Sequence, residues 1–420
     1  MPQAIERMSE DAKVILLLCG HLARTSGVKP LSLGEYNQVA RALRESDLRP
    51  ADLLKPKNVP FTSEAARIDP ERLAKLLERG MQLGLAIEEW NQGGVWVLCR
   101  SDSDYPERFK SHLADQAPAI LFGVGNRSLL KGGGVAIVGS RNVDDAGRAF
   151  AQDVAVRCAR GGMPVVSGGA RGVDETAMSA ALVEGGEVVG LLPDKLLRRS
   201  VKREARDALA NGQLLLLTPY HPEAGFNIGN AMARNKLIYA MADYGLVVCA
   251  TYNRGGTWAG AIEEMRRNRP RPIFVRIEST VPDGNKKLVD RGAIPFPESE
   301  PGPLTDDWFN EAVDAKLPAQ IPLFQGLPLP DTVKEPVSLQ APSLTPPASI
   351  YEAIKPVLLN ALDEPTPTAE LAEQLEVSKS QMAAWIKRAV EEGAVRKLTR
   401  PVRYVREYDG TDGERKKRPA

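Results

Sequence analysis

An α/β fold with a mostly parallel sheet is predicted by two features of the sequence. Apolar, β-branched runs alternate with amphipathic helical stretches from about 95 to 278, and these runs are apolar almost throughout, as in strands covered on both faces. Several runs also end in glycine-rich turns that open a helix, the pattern of a βα corner.

The strand candidates are Val135–Val138, Pro164–Ser167, Glu187–Leu191, Gln213–Leu217, Gly245–Ala250 and Ile273–Ile277. Helices are expected between them near 145–160, 173–184, 199–211, 229–242 and 258–268. Upstream, residues 1–95 read as a helical domain. Leu73, Leu76, Leu77 and Met81 recur at helical spacing, and prolines at 30, 50, 56, 60 and 70 divide the stretch into short helices. Ser32 with Glu35 three residues on predicts a capping box.

Beyond the core of 96–278, proline becomes frequent from Pro295 to Pro347, and residues 279–347 are expected to form an extended linker. Residues 348–408 then read as helix, helix, helix and β-hairpin, the winged-helix order, with Gly393 stopping the last helix. Ser378, Lys379, Gln381, Lys387 and Arg388 would occupy its recognition helix, and Arg396, Lys397, Arg400 and Arg403 its wing. Contact with duplex and a protein–protein role suit this module equally. Residues 409–420 form a basic tail.

Composition bounds the partners. With 420 residues, 43% hydrophobic and a net charge of +1, the chain carries an ample core, but any polyanion must be met by local clusters of cations. Cys19, Cys99, Cys158 and Cys249 are scattered and form no CxxC pair, which predicts free thiols in a reducing cytoplasm. No run reaches the length of a membrane span, and the acidic N-terminus is unlike a signal peptide. His21, His112 and His221 lie far apart, so no metal site is expected.

Four corners carry the chemistry. Gly139-Ser140-Arg141 follows the first apolar strand, where glycine admits close approach and the hydroxyl and guanidinium suit phosphate oxygens. One crossover later, Ser167-Gly168-Gly169-Ala170-Arg171-Gly172 repeats the arrangement, and Asp174 is placed to cap the next helix or to orient Arg171. Arg234, Asn235 and Lys236 offer two cations around an amide. Gly255-Gly256-Thr257 makes a fourth glycine-rich turn. Tight strand–helix packing also explains such glycines, but packing needs neither arginine. For stacking on bases, Phe226, Tyr239, Tyr252 and Trp258 are the candidates, with Tyr252 and Trp258 favoured by their place beside the fourth turn.

These four motifs, with Asp104-Tyr105-Pro106 and Ile120-Leu121-Phe122 upstream, resemble in order and spacing the DprA (Smf) family of DNA-processing proteins. The resemblance implies a Rossmann-like core that binds single-stranded DNA without catalysis or cofactor and helps to load a RecA-type recombinase. It also implies homo-oligomers and, for divergent members, a cognate toxin as partner in phage defence. Residue by residue it points to Ser140, Arg141, Ser167, Arg171, Arg234, Asn235 and Lys236. Three departures stand out: Met178 where the family usually has histidine, Lys236 where it has arginine, and a strongly basic Pro193–Arg206 segment that lacks the usual turn. A nucleotide-hydrolysing alternative rests on Gly255–Thr257 with Glu263 and Glu264, which resemble LOG proteins, although the glutamate spacing does not match theirs.

Overall fold

The computed structural model describes residues 8–22, 27–278, 281–297 and 302–315, and, towards the C-terminus, 351, 355, 358–359, 362, 365–374, 379–399 and 402–407. Two compact units result, divided between Leu323 and Phe324.

In the first unit the described residues form a nine-stranded sheet. Its strands are β1 (Trp96–Cys99), β2 (Ile120–Gly125), β3 (Val135–Gly139), β4 (Val165–Ser167), β5 (Val188–Leu191), β6 (Leu214–Thr218), β7 (Tyr244–Cys249), β8 (Ile273–Val275) and β9 (Ile294–Pro295). They are ordered β1-β2-β6-β5-β4-β3-β7-β8-β9. Pairing from β6 through β9 is parallel, and β1 and β2 add an antiparallel edge absent from the sequence expectation. Strands β4–β6 run off one side of β3 and β7–β9 off the other. The carboxyl ends of β3 and β7 therefore flank a topological switch point, where open α/β sheets leave a crevice.

Five helices precede the sheet: α1 (Glu10–Cys19), α2 (Leu33–Glu45), α3 (Val59–Ala66), α4 (Pro70–Leu77) and α5 (Gly80–Gln92). The expected capping box opens α2, where Ser32 accepts from the Glu35 amide and Glu35 from the Ser32 amide. Leu16, Leu43, Leu73 and Trp90 from these helices join one buried cluster with Val135 and Ile137 of β3, so helices and sheet share a core.

Between the strands lie α6 (Glu107–Leu113), α7 (Asp145–Arg160), α8 (Val173–Val183), α9 (Leu196–Ser200), α10 (Arg203–Ala210), α11 (Ile228–Met241) and α12 (Gly255–Met265). Where one helix was expected over 199–211, the chain breaks at Val201–Lys202 into two short ones.

The expected linker is corrected at its start. Residues 281–297 and 302–315 contribute α13 (Asp283–Asp290), β9 and α14 (Asp306–Asp314), which pack with the sheet. Asn285, fully buried, donates to the Val248 and Arg276 carbonyls at 2.9 Å and accepts from the Ala250 amide at 2.8 Å. Phe309 stacks on Tyr244 with ring centroids 4.7 Å apart. The aromatic and apolar anchors of this stretch are spread among prolines with no sustained period, so pattern alone misses them. The rest of the expected linker, from 316, lies outside the described residues.

The second unit contains α15 (Thr368–Gln374), α16 (Lys379–Glu391) and a hairpin of β10 (Val395–Thr399) and β11 (Val402–Arg406). Leu371, Met382, Ile386 and Val395 lie in its own small core. Most of the first expected helix, Ser378, Arg400 and the basic tail lie outside the described residues. Of the expected recognition and wing cations, Arg388 pairs with Glu392, Arg396 with Glu407 and Lys387 with Glu391, whereas Lys397 and Arg403 are exposed.

Candidate nucleic-acid interface

Three of the four corners, with the face of α11 that bears Arg234, meet at the carboxyl ends of β3, β4 and β7. After β3, the Ser140 amide donates to the Cys249 carbonyl at 3.1 Å, and the Ser140 hydroxyl accepts from the Asn142 amide at 3.1 Å. Arg141 is exposed and its guanidinium lies 5.2 Å from the centre of the Phe226 ring, within range of a cation–π attraction. The second corner folds against the first. Gly172 has φ +94°, and a Cβ there would meet the Ser140 carbonyl oxygen at 2.6 Å, so both conformation and space demand glycine.

Within the second corner, Ser167 departs from expectation. It is fully buried and its hydroxyl donates to the Ile137 carbonyl at 2.6 Å, which ties β4 to β3 rather than facing a ligand. Asp174 also takes another partner than Arg171. It is buried, accepts weakly from the Ala170 amide at 3.4 Å, and lies with Arg234 against Gly168. At the fourth corner, Asn235 donates from Nδ2 to the Gly256 carbonyl at 2.9 Å. That bond holds the turn and commits one of the two N–H groups of the amide.

Arg234 is the unusual group. Only 5% of the residue is exposed, and its Nε and Nη1 are buried without a hydrogen-bond partner. Burial pulls the guanidinium below its usual range, against the attraction of Asp174, while the same burial raises the Asp174 carboxyl. The two shifts share a cause: the dry setting penalises both charges, and their attraction offsets only part of it. A buried guanidinium lacking acceptors is costly to leave so, which marks a place for an anion.

Around it opens a cavity of about 500 Å³, lined by Gly139, Ser140, Arg141, Asp174, Phe226, Arg234, Asn235, Arg254 and Gly255–Thr257 among others. A second recess of about 340 Å³ shares Arg141, Phe226 and Arg234 with it and adds Gly168, Arg171, Lys195 and Arg199. Arg141 and Arg171 also line a third recess beside Asp144 and Arg148. Arg141, Arg171 and Arg234 thus face one connected cleft, and Asp174 is the carboxylate among the residues lining the main cavity.

Lys236 stands apart. It lines a separate, mainly apolar groove with Cys19, Leu33 and Gln116, and its Nζ lies 3.4 Å from the Gln116 side-chain oxygen. The favoured stacking residues are likewise reassigned. Trp258 is buried, Tyr252 packs edge-on against it, and Arg291 covers both rings. Tyr239 lines the main cavity but is buried, whereas Phe226, 47% exposed, presents an open ring there. Phe226 sits in no periodic pattern, so only the fold reveals its place. Glu264 is also removed from the cleft chemistry. It is fully buried and held by His112 at 2.9 Å, by Arg267 and by the Arg271 amide. Glu263 is paired with Arg267.

Among the described residues no cluster of His, Cys, Asp and Glu fits a metal ion, and no helix is long and apolar enough to cross a membrane.

Comparison with known proteins agrees with this architecture. Residues 96–301 match the family described as DNA recombination-mediator protein A. DNA processing protein DprA of Bacillus subtilis is 24% identical over 220 residues, which span 50% of this chain and 71% of that protein. The Streptococcus pneumoniae DprA is 31% identical over 183 residues, spanning 42% of this chain and 63% of that protein. The X-ray structure of the latter superposes with a TM-score of 0.55 at 21% identity, covering 74% of this chain and 98% of that one. It shares the fold.

Proposed function

Because this chain belongs to the DprA/Smf family through residues 96–301, we propose that its cleft binds single-stranded DNA and performs no turnover. The observation that carries this reading is Arg234: a buried guanidinium with unfilled donors, set between two exposed arginines at a switch-point crevice. Phosphate oxygens are the acceptors that such donors match. Arg141 and Arg171 neutralise further phosphates at the rim, and Phe226, braced by Arg141, offers a face to an unpaired base. A base in a duplex has no free face to give, so single strands are preferred.

The family description, a recombination mediator, supports delivery of the strand to a RecA-type recombinase in the cytoplasm. The test is fluorescence anisotropy with single- and double-stranded oligonucleotides at two salt concentrations. Preferential single-strand binding that weakens steeply with salt is expected. Equal affinity for duplex sinks the reading.

One observation favours a second reading. The main cavity, at about 500 Å³, lies within the size range of small-ligand pockets, about 300–1,000 Å³. A nucleoside monophosphate that raises the melting temperature and displaces no oligonucleotide would make the cavity a nucleotide sensor. Release of free base would make it a hydrolase.

A further inference from the structure

The geometry points to a second phosphate-binding track on this chain: a ridge of cations along α9 and α10 that carries a strand onward after it leaves the cleft. This inference rests on the strand-binding reading above and extends it beyond the cleft lining to Lys202 and Arg206.

The ridge starts at the cleft wall. Lys195 and Arg199 line the recess shared by Arg141, Arg171 and Arg234, and Arg199 is fixed there by donating to the Gly169 carbonyl at 2.6 Å and pairing with Asp194. From that point the backbone climbs in single turns. The Arg199 amide donates to the Lys195 carbonyl, the Lys202 amide to Arg199 and the Arg206 amide to Lys202, at 2.9, 3.3 and 2.9 Å. Lys195 opens α9 and Arg199 lies a turn further on; Lys202, in extended conformation, opens α10 and Arg206 lies a turn beyond it. The turn bond from Lys202 to Arg199 joins the two pairs, so the four cations follow one another along a single short path of chain leading away from the cleft.

Charge and pairing distinguish this row from an ordinary solvated face. Residues 195–207 hold six cations, Lys195, Arg198, Arg199, Lys202, Arg203 and Arg206, against Glu204 and Asp207, in a chain whose net charge is +1. Helical spacing puts Glu204 on the face of α10 opposite Lys202 and Arg206. Lys202 and Arg206 are exposed, and no described residue forms an ion pair with either. Elsewhere on the surface, Lys75 pairs with Glu71 and Lys287 with Asp290 at helical spacing. A row of unneutralised cations leading out of an anion-binding cleft suits a regularly charged, flexible polyanion better than a compact ligand.

The test compares the full-length chain with Lys202→Ala/Arg206→Ala and with Arg141→Ala, using oligothymidylates of about 4 to about 16 nucleotides, the span of known single-strand site sizes. Both altered ridge residues are exposed, so the double variant is expected to fold, as checked by circular dichroism. Wild-type affinity should keep rising with length. The double variant should match wild type on the shortest oligonucleotide that binds, fall about tenfold on the longest, and lose about 1.4 from the slope of log affinity against log salt, about 0.7 for each cation. Arg141→Ala should weaken every length. An unchanged length dependence in the double variant, or an equal loss at all lengths, overturns the ridge and leaves the cleft standing. Failure of wild type to bind at any length overturns both.

Discussion

The guanidinium of Arg234 lies directly over the Cα of Gly168: a Cβ built there would stand 1.5 Å from Nη1. The bare backbone of Gly168 is what lets Arg234 reach the seam between the two recesses. Gly168→Ala is expected to expel the guanidinium and to lower single-strand affinity as far as Arg234→Met does, while circular dichroism shows the fold intact. If Gly168→Ala binds like wild type, Arg234 is not a ligand-facing group.

Arg141→Ala and Arg171→Ala should each weaken single-strand binding by about 1–3 kcal/mol, the worth of a charge-assisted phosphate contact. Each should also reduce the salt slope by about 0.7. Anisotropy titrations at three salt concentrations measure both quantities. A loss that does not vary with salt would mean the arginines act through packing.

Phe226→Ala should cost about 1–3 kcal/mol of single-strand affinity, the range for one stacked base, and Phe226→Tyr should restore it. The ring is 47% exposed, so stability to urea should hardly change. Loss with the tyrosine as well would show that no base stacks on the ring, since tyrosine keeps both the stacking face and the contact with Arg141.

Asn285→Ala removes three hydrogen bonds from a fully buried site joining β7, the end of β8 and α13. It strands one amide and two carbonyls, and about 3 kcal/mol of stability should go with it. Urea denaturation reads the change. An effect below about 1 kcal/mol would indicate that the 281–315 stretch is dispensable to the core.

The Glu35 carboxylate is held at about 2, chiefly by its hydrogen bonds from Arg72, against an ordinary 4.5. A depressed carboxyl contributes stability that is complete above its unfolded value and is lost as pH falls through its folded one. The difference in stability between wild type and Glu35→Gln, about 1–2 kcal/mol at pH 7 for a capping box with its ion pair, should therefore shrink between pH 4.5 and 2. A difference that stays constant across that window would mean that the charge of Glu35 contributes nothing.

Most of the parallel sheet was legible because its strands are apolar runs, a pattern that burial on both faces enforces, and because β3, β4 and β7 lead into glycine-rich corners. The capping box of α2 was legible for a similar reason: its two partners are three residues apart. The antiparallel edge was not, since β1 is only four residues long and its pairing with β2 spans a helix. At the cleft, the arginines could be picked out by their corners, but side-chain direction could not. Ser167 points inward because its hydroxyl finds a strand carbonyl, and Lys236 turns away because it falls on a different face of α11 from Arg234. Phe226 was among the stacking candidates but ranked below Tyr252 and Trp258, because a loop aromatic gains its role only from what folds against it.

Helix α11 separates two compartments. Arg234 and Asn235 face the cleft, while Ala233, Lys236 and Leu237 face the groove bounded by Cys19 and Leu33 of the N-terminal helices. Leu237, Ile238, Tyr239, Ala240 and Met241 lock the C-terminal half of α11 into the core, so one packed wall serves both compartments. The lining of the groove therefore bears on the same element that carries Arg234, and the N-terminal helices are part of what holds the cleft in shape.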